Sequence, residues 1–240
     1  MIFLYYYYSL NKEIICYLFR WEDNIMNNIN RHKVFISYYH ADDQKYKDKL
    51  VNAKYYDCDK HEYRNIFDDW SVANGDIDDT ELSDEQIRRI IRDEYTRQPN
   101  VFILLCGKNT KNRKHIDWEI HDAMFDSEKN HKMGIIVINL PTINQNVKVS
   151  CEEEKEIVSP NSNWVRLTTK DEYERNYPYL PKRILDNLVY GAEITIVDWN
   201  TVYDGNYEKL MTLIDNAFKR RKTVEYDCSE PLRKRNSVAI

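Results

Sequence analysis

Asn100-Val101-Phe102-Ile103-Leu104-Leu105-Cys106-Gly107, followed after a polar run by His115-Ile116-Asp117-Trp118-Glu119-Ile120, decides how this chain folds. Six consecutive apolar residues between Pro99-Asn100 and Gly107 have the pattern of a parallel strand covered by helices on both faces. Residues 108–114 then make a strand-to-helix loop. Beyond it Ile116, Ile120, Ala123 and Met124 recur at helical spacing as a buried stripe. Glu119 lies three residues after Ile116 and four before Ala123, so it borders that stripe, and the pattern sets a carboxylate beside a strand end.

Working outward, Val34-Phe35-Ile36-Ser37-Tyr38 is a strand, followed by a loop and an amphipathic stretch from Tyr46 to Ala53. Ile66-Phe67 leads into a short second strand ending in Asp68-Asp69-Trp70-Ser71. Ser83-Asp84-Glu85-Gln86 is a capping-box pattern opening a helix that buries Ile87, Ile90, Ile91 and Tyr95. Residues 134–140 form a further apolar strand that stops at Pro141. Residues 142–182, with the acidic run 152–156 and a turn cluster at 159–163, read as an insertion. A helix at 181–190, a fifth strand at 194–198 and a helix at 207–222 follow. Five strands alternating with helices predict a parallel α/β sheet. Residues 223–240 lack periodicity and read as a mobile tail.

The 240 residues suit one decorated α/β domain. With 42% hydrophobic and 31% charged residues the chain has an ordinary globular composition, although 19 tyrosines and 5 glycines are unusual. A net charge of -5 gives no basic footprint for nucleic acid. The five cysteines are scattered and odd in number, so neither a disulfide framework nor a zinc site is expected, and a reducing cytoplasm fits best. The acidic loop 76–84 lacks the ligand order of a calcium loop. No GxSxG elbow and no GxGxxG occur, which argues against serine-hydrolase chemistry and a bound redox dinucleotide.

Leu104-Leu105-Cys106-Gly107-Lys108-Asn109-Thr110 with His115-Ile116-Asp117-Trp118-Glu119-Ile120 resembles the signature of prokaryotic TIR-like domains, in particular those of Thoeris antiphage systems. Val34 to Asp43 resembles the first strand and loop of that family, and Asp69-Trp70-Ser71-Val72 the segment after its second strand. The resemblance covers residues 31–140 well. It implies a flavodoxin-like TIR fold: a five-stranded parallel sheet ordered 2-1-3-4-5, residues 101–106 central, helices on both faces. It divides the chain into an N-terminal extension at 1–30, a TIR-like domain at 31–222 and a C-terminal tail at 223–240. It also implies an enzyme that cleaves NAD at the nicotinamide-ribose bond and makes a cyclic ADP-ribose isomer as an antiphage signal. NAD would then be a substrate, with no cofactor and no metal. Expected partners are a phage-derived trigger, a separate effector reached through the nucleotide and further copies of the chain, but neither nucleic acid nor membrane. The alternative is a non-catalytic TIR-like interaction module. A phosphorylation receiver would need an aspartate where Cys106-Gly107 stands.

In such sheets ligands bind beyond the carboxyl ends of the strands where the strand order reverses, here between strands one and three. By resemblance Glu119 is the catalytic carboxylate; the ordinary alternative is a helix-surface salt bridge. Ser37, Tyr38, His40, Asp69 and Ser71 are candidate substrate contacts, although serine and aspartate at strand ends serve equally as caps and turn formers. Asp43 matches a family position near the pocket, or it caps its helix. Trp118 stacks on a substrate ring or fills core. His115 stands where the family commonly has a small residue.

Residues 1–10 are apolar and tyrosine-rich, but lack a basic n-region and fall short of a membrane span. Residues 1–25 read as dispensable, with a packed accessory segment as the alternative. Deleting them should leave a cooperative melting transition; its disappearance from a thermal scan would show that they pack on the core.

Overall fold

The computed structural model describes residues 31–57, 60–72, 82–128, 130–159, 164 and 166–236. The N-terminal extension, residues 76–81 of the acidic loop and residues 160–163 of the turn cluster lie outside the described residues. In chain order come β1 (Lys33–Ser37), α1 (His40–Val51), β2 (Lys54–Asp57), β3 (Glu62–Asn65), β4 (Asp68–Asp69) and α2 (Asp84–Ile90). Then follow β5 (Val101–Cys106), α3 (Lys114–Met124), β6 (Gly134–Asn139), α4 (Lys155–Val158) and α5 (Lys170–Asn176). Last are α6 (Lys182–Tyr190), β7 (Thr195–Asp198), α7 (Trp199–Val202) and α8 (Glu208–Arg220).

Five strands pair in the order β4-β1-β5-β6-β7, every pairing parallel. Counted within that sheet alone, this is the expected order 2-1-3-4-5 with β5 in the middle. The numbering differs because the antiparallel hairpin β2-β3 stands apart as a second sheet. Sequence reading passed over the hairpin.

All six residues of β5 are fully buried, and they alternate between two cores. Val101, Ile103 and Leu105 pack with α1, α7 and α8, while Phe102, Leu104 and Cys106 pack with α3 and α6. Strand alternation thus places one covered face on each side of the sheet. On the first side α8 approaches so closely that a Cβ at Gly134 would fall 1.9 Å from the Ala217 carbonyl oxygen, so only glycine fits. Ser83 and Gln86 form the expected capping box of α2. That helix runs on as a π-helical turn from Ile91 to Tyr95, a departure from the regular helix expected there.

The insertion is better ordered than its composition suggests. Lys148 pairs with Ile196 of β7 through two main-chain hydrogen bonds of 2.9 and 2.8 Å. Glu154, in the middle of the acidic run, is fully buried. It accepts from Arg220 at 3.0 Å, from Thr195 at 2.5 Å and from the Ser150 hydroxyl at 2.8 Å. Burial alone would raise this carboxyl, but Arg220 and the two hydroxyls outweigh it and hold it below the usual range. The tail is likewise not free, because residues 224–236 lie across α3 and α6. Val224 is buried, the Tyr226 hydroxyl donates to the Met133 carbonyl at 3.1 Å, and Asp227 exchanges main-chain bonds with the Asn187 amide.

Removing one partner of a buried ion pair leaves an uncompensated charge in the core. Arg220→Met should therefore cost about 3–5 kcal/mol in urea denaturation at pH 7, with Glu154→Leu added to it restoring much of the loss. A single-variant cost under about 1 kcal/mol would show that water reaches Glu154.

Candidate functional site at the carboxyl ends of β1 and β5

Ser37 is the last residue of β1 and alternates onto the same face as Phe35, where α3 packs. Ile116, Ile120, Ala123 and Met124 seat α3 against that face and turn Glu119 toward the strand end. The result is direct contact: the Ser37 hydroxyl donates to Glu119 Oε2 at 2.6 Å across 82 residues of sequence. Ser37 is buried and Glu119 only partly exposed. Burial pushes the Glu119 carboxyl up to about 7; the Ser37 hydrogen bond opposes this and the Asp122 carboxylate adds to it. Asp122, buried one turn along, lies 3.6 Å from the Arg88 guanidinium and 3.2 Å from the His121 ring. Sequence reading gave Asp122 no role, because nothing local distinguishes it from a surface aspartate.

Asp69 and Ser71 flank β1 on its other edge. Asp69 accepts from Lys47 at 2.8 Å and from the Ser71 hydroxyl at 2.5 Å, and Ser71 Oγ accepts the Ile36 N–H at 2.8 Å. These bonds clasp the end of β4 to β1 and use up much of the polar capacity proposed for substrate contact. The Tyr38 hydroxyl donates to Gln44 at 2.7 Å, its ring stacks on His40 at 4.3 Å, and burial pushes the phenol up to about 12. Tyr38 and His40 thus form one packed pair at the start of α1.

Trp118 is 4% exposed, and its indole N–H donates to the Arg233 carbonyl at 2.8 Å. The tail engages it, and the side chain is buried, as in the core-filling reading that the sequence left open beside stacking. Asp43 does not cap α1. Its buried carboxylate lies against Gly107, where a Cβ would fall 2.4 Å from Oδ2, and that oxygen has no hydrogen-bond partner. Burial pushes Asp43 up to about 6, with Asp42 adding to it. Burial likewise drives the Cys106 thiol up to about 12, which leaves it a poor nucleophile at neutral pH.

Because the folded Glu119 holds its proton longer than the unfolded chain does, ionisation costs stability. Below about pH 4.5 both states are protonated; between 4.5 and about 7 only the unfolded chain releases its proton, and folding weakens as pH rises. Glu119→Gln keeps an acceptor for Ser37 without that cost. It should melt with wild type near pH 4 and be more stable by roughly 2–3 kcal/mol at pH 8. Equal melting temperatures across the range would mean that water solvates the carboxyl in solution.

All seven expected site residues, Ser37, Tyr38, His40, Asp69, Ser71, Trp118 and Glu119, fall within residues 35–145. Those residues match the family described as the TIR-like domain of the Thoeris protein ThsB. Comparison with curated proteins gave no significant match, and neither did comparison with solved structures. This match, which runs from β1 to just beyond β6, supports a TIR-like protein of the Thoeris type.

Proposed function

We propose that the chain cleaves NAD at the nicotinamide-ribose bond and closes the remainder into a cyclic ADP-ribose isomer that signals in antiphage immunity. The 2.6 Å contact between Ser37 and Glu119 carries this reading, because it fixes a carboxylate at the end of β1 beside the crevice where such sheets bind ligands. Nicotinamide leaves with the bonding electron pair as a neutral ring, so it needs no proton. Positive charge then develops on the ribose, and an ionised Glu119 held by Ser37 stabilises it and grips ribose hydroxyls. Capture by a hydroxyl of the same nucleotide gives the cyclic isomer; capture by water gives the open product.

NAD acts as substrate, and the signal reaches a separate effector as a diffusible nucleotide after a phage-derived trigger. Among the described residues no helix is long and apolar enough to cross a membrane. A cytoplasmic enzyme that also associates with its own copies completes the proposal.

The test is incubation of purified protein with NAD, with and without phage-infected lysate, followed by chromatography. Glu119→Gln should lower turnover by about 100- to 1000-fold. If the ionised carboxylate is the working form, kcat/KM should rise with pH to a plateau, with a midpoint near 7. A variant that matches wild type removes Glu119 from the mechanism. A wild type inert under all conditions, yet self-associating, favours the interaction-module alternative.

A further inference from the structure

The helix that carries Glu119 is not fixed at its start by its own sequence. Its N-cap position is Arg113, whose side chain makes no capping bond. The cap comes from the far end of the chain: the N–H of Lys114, first residue of α3, donates to Asn236 Oδ1 at 2.9 Å. One turn along, Asp117 is gripped by Arg183 of α6 through bonds of 3.1 Å from Nε and from Nη2, and by the Arg233 N–H at 2.9 Å. The remaining donors of Arg183 reach the Glu230 and Pro231 carbonyls at 3.1 and 3.2 Å. Trp118 donates to the Arg233 carbonyl, and the Arg233 guanidinium to the Lys111 carbonyl in the loop before α3 at 2.6 Å. Residues 111, 114, 117 and 118 are thus tied to residues 230–236. The next residue is Glu119.

We propose that residues 230–236 form a strap that holds the first turns of α3 where Glu119 meets Ser37, making Arg233 and Asn236 positioning residues for the candidate carboxylate. One side of the helix start is clamped by the strap and the other by the Ser37 hydrogen bond. A shift of about 1 Å breaks a 2.6 Å contact, and misplacement on that scale costs about 100-fold in a preorganised site. The site therefore draws on residues at both ends of the described chain. The kinetic part of this inference rests on the reading of Glu119 given above; the geometric part does not.

The test uses the full chain carrying Asn236→Ala, Asn236→Asp or Arg233→Pro, each with and without Glu119→Gln. Proline removes the N–H that reaches Asp117, and aspartate keeps an acceptor for Lys114 while placing a favourable charge at a helix start. Melting temperatures between pH 4 and 9 give the pH at which the divergence of the Glu119→Gln pairs levels off, which is the titration midpoint of folded Glu119 in each background. NAD consumption gives kcat and KM. Asn236→Ala and Arg233→Pro should move the midpoint from near 7 toward that of an ordinary glutamate. They should lower kcat by about 10- to 100-fold with KM within about threefold, while Asn236→Asp preserves both. A folded Asn236→Ala with the wild-type midpoint overturns the proposal, whatever its melting temperature. If wild type consumes no NAD even with infected lysate, the enzymatic reading falls and the midpoint alone decides the strap. If Arg233→Pro fails to fold, the two Asn236 variants decide it.

Discussion

Burial of β5 on both faces is the constraint from which the rest of the structure follows. A strand with no exposed residue and apolar side chains on both sides needs a helical layer on each face. Parallel neighbours then require crossovers, and the connection leaving β5 becomes α3. That crossover carries Glu119 back over the end of β1, the strand paired directly with β5. The Ser37–Glu119 contact is a product of topology before it is one of chemistry.

Two carboxylates, Glu154 fully buried and Glu119 partly exposed, show how differently the fold treats the same group. Glu154 faces a guanidinium and two hydroxyls, is held ionised, and ties the insertion to α8. Glu119 faces one hydroxyl with another carboxylate nearby, so its charge is poorly compensated. The first arrangement stabilises the folded chain. The second leaves a charge deficit that a developing cation would relieve, and an unfavourable ground state of that kind is common at working sites.

What the sequence revealed was what local pattern can encode. The strands β5 and β6, the capping box at Ser83 and the stripe of α3 each rest on residues within one or two turns of each other, and all were legible. The placement of Glu119 beside Ser37 was reached through family resemblance and the switch-point rule, not through spacing alone. The burial of Glu154, the clasp formed by Ser71 and the docking of the tail depend on partners 66, 35 and 122 residues away. An acidic run looks solvated and an aperiodic tail looks mobile until the distant partner is known. Trp118 shows the same limit: the sequence left substrate stacking and core filling both open, and the carbonyl that holds its indole lies 115 residues along.

The main-chain pairing of Lys148 with Ile196 reaches further than the insertion it anchors. It occupies the outer flank of β7, and at the opposite flank β4 is only two residues long. Among the described residues, each border of the five-stranded sheet is therefore short or partly covered, which limits the free amides and carbonyls onto which a second molecule could add a strand. Copies of this chain that assemble against those borders would therefore meet mostly through side chains. Such an assembly would be tuned by surface substitutions and salt, and would lack the near-irreversible growth of ladder-built fibres.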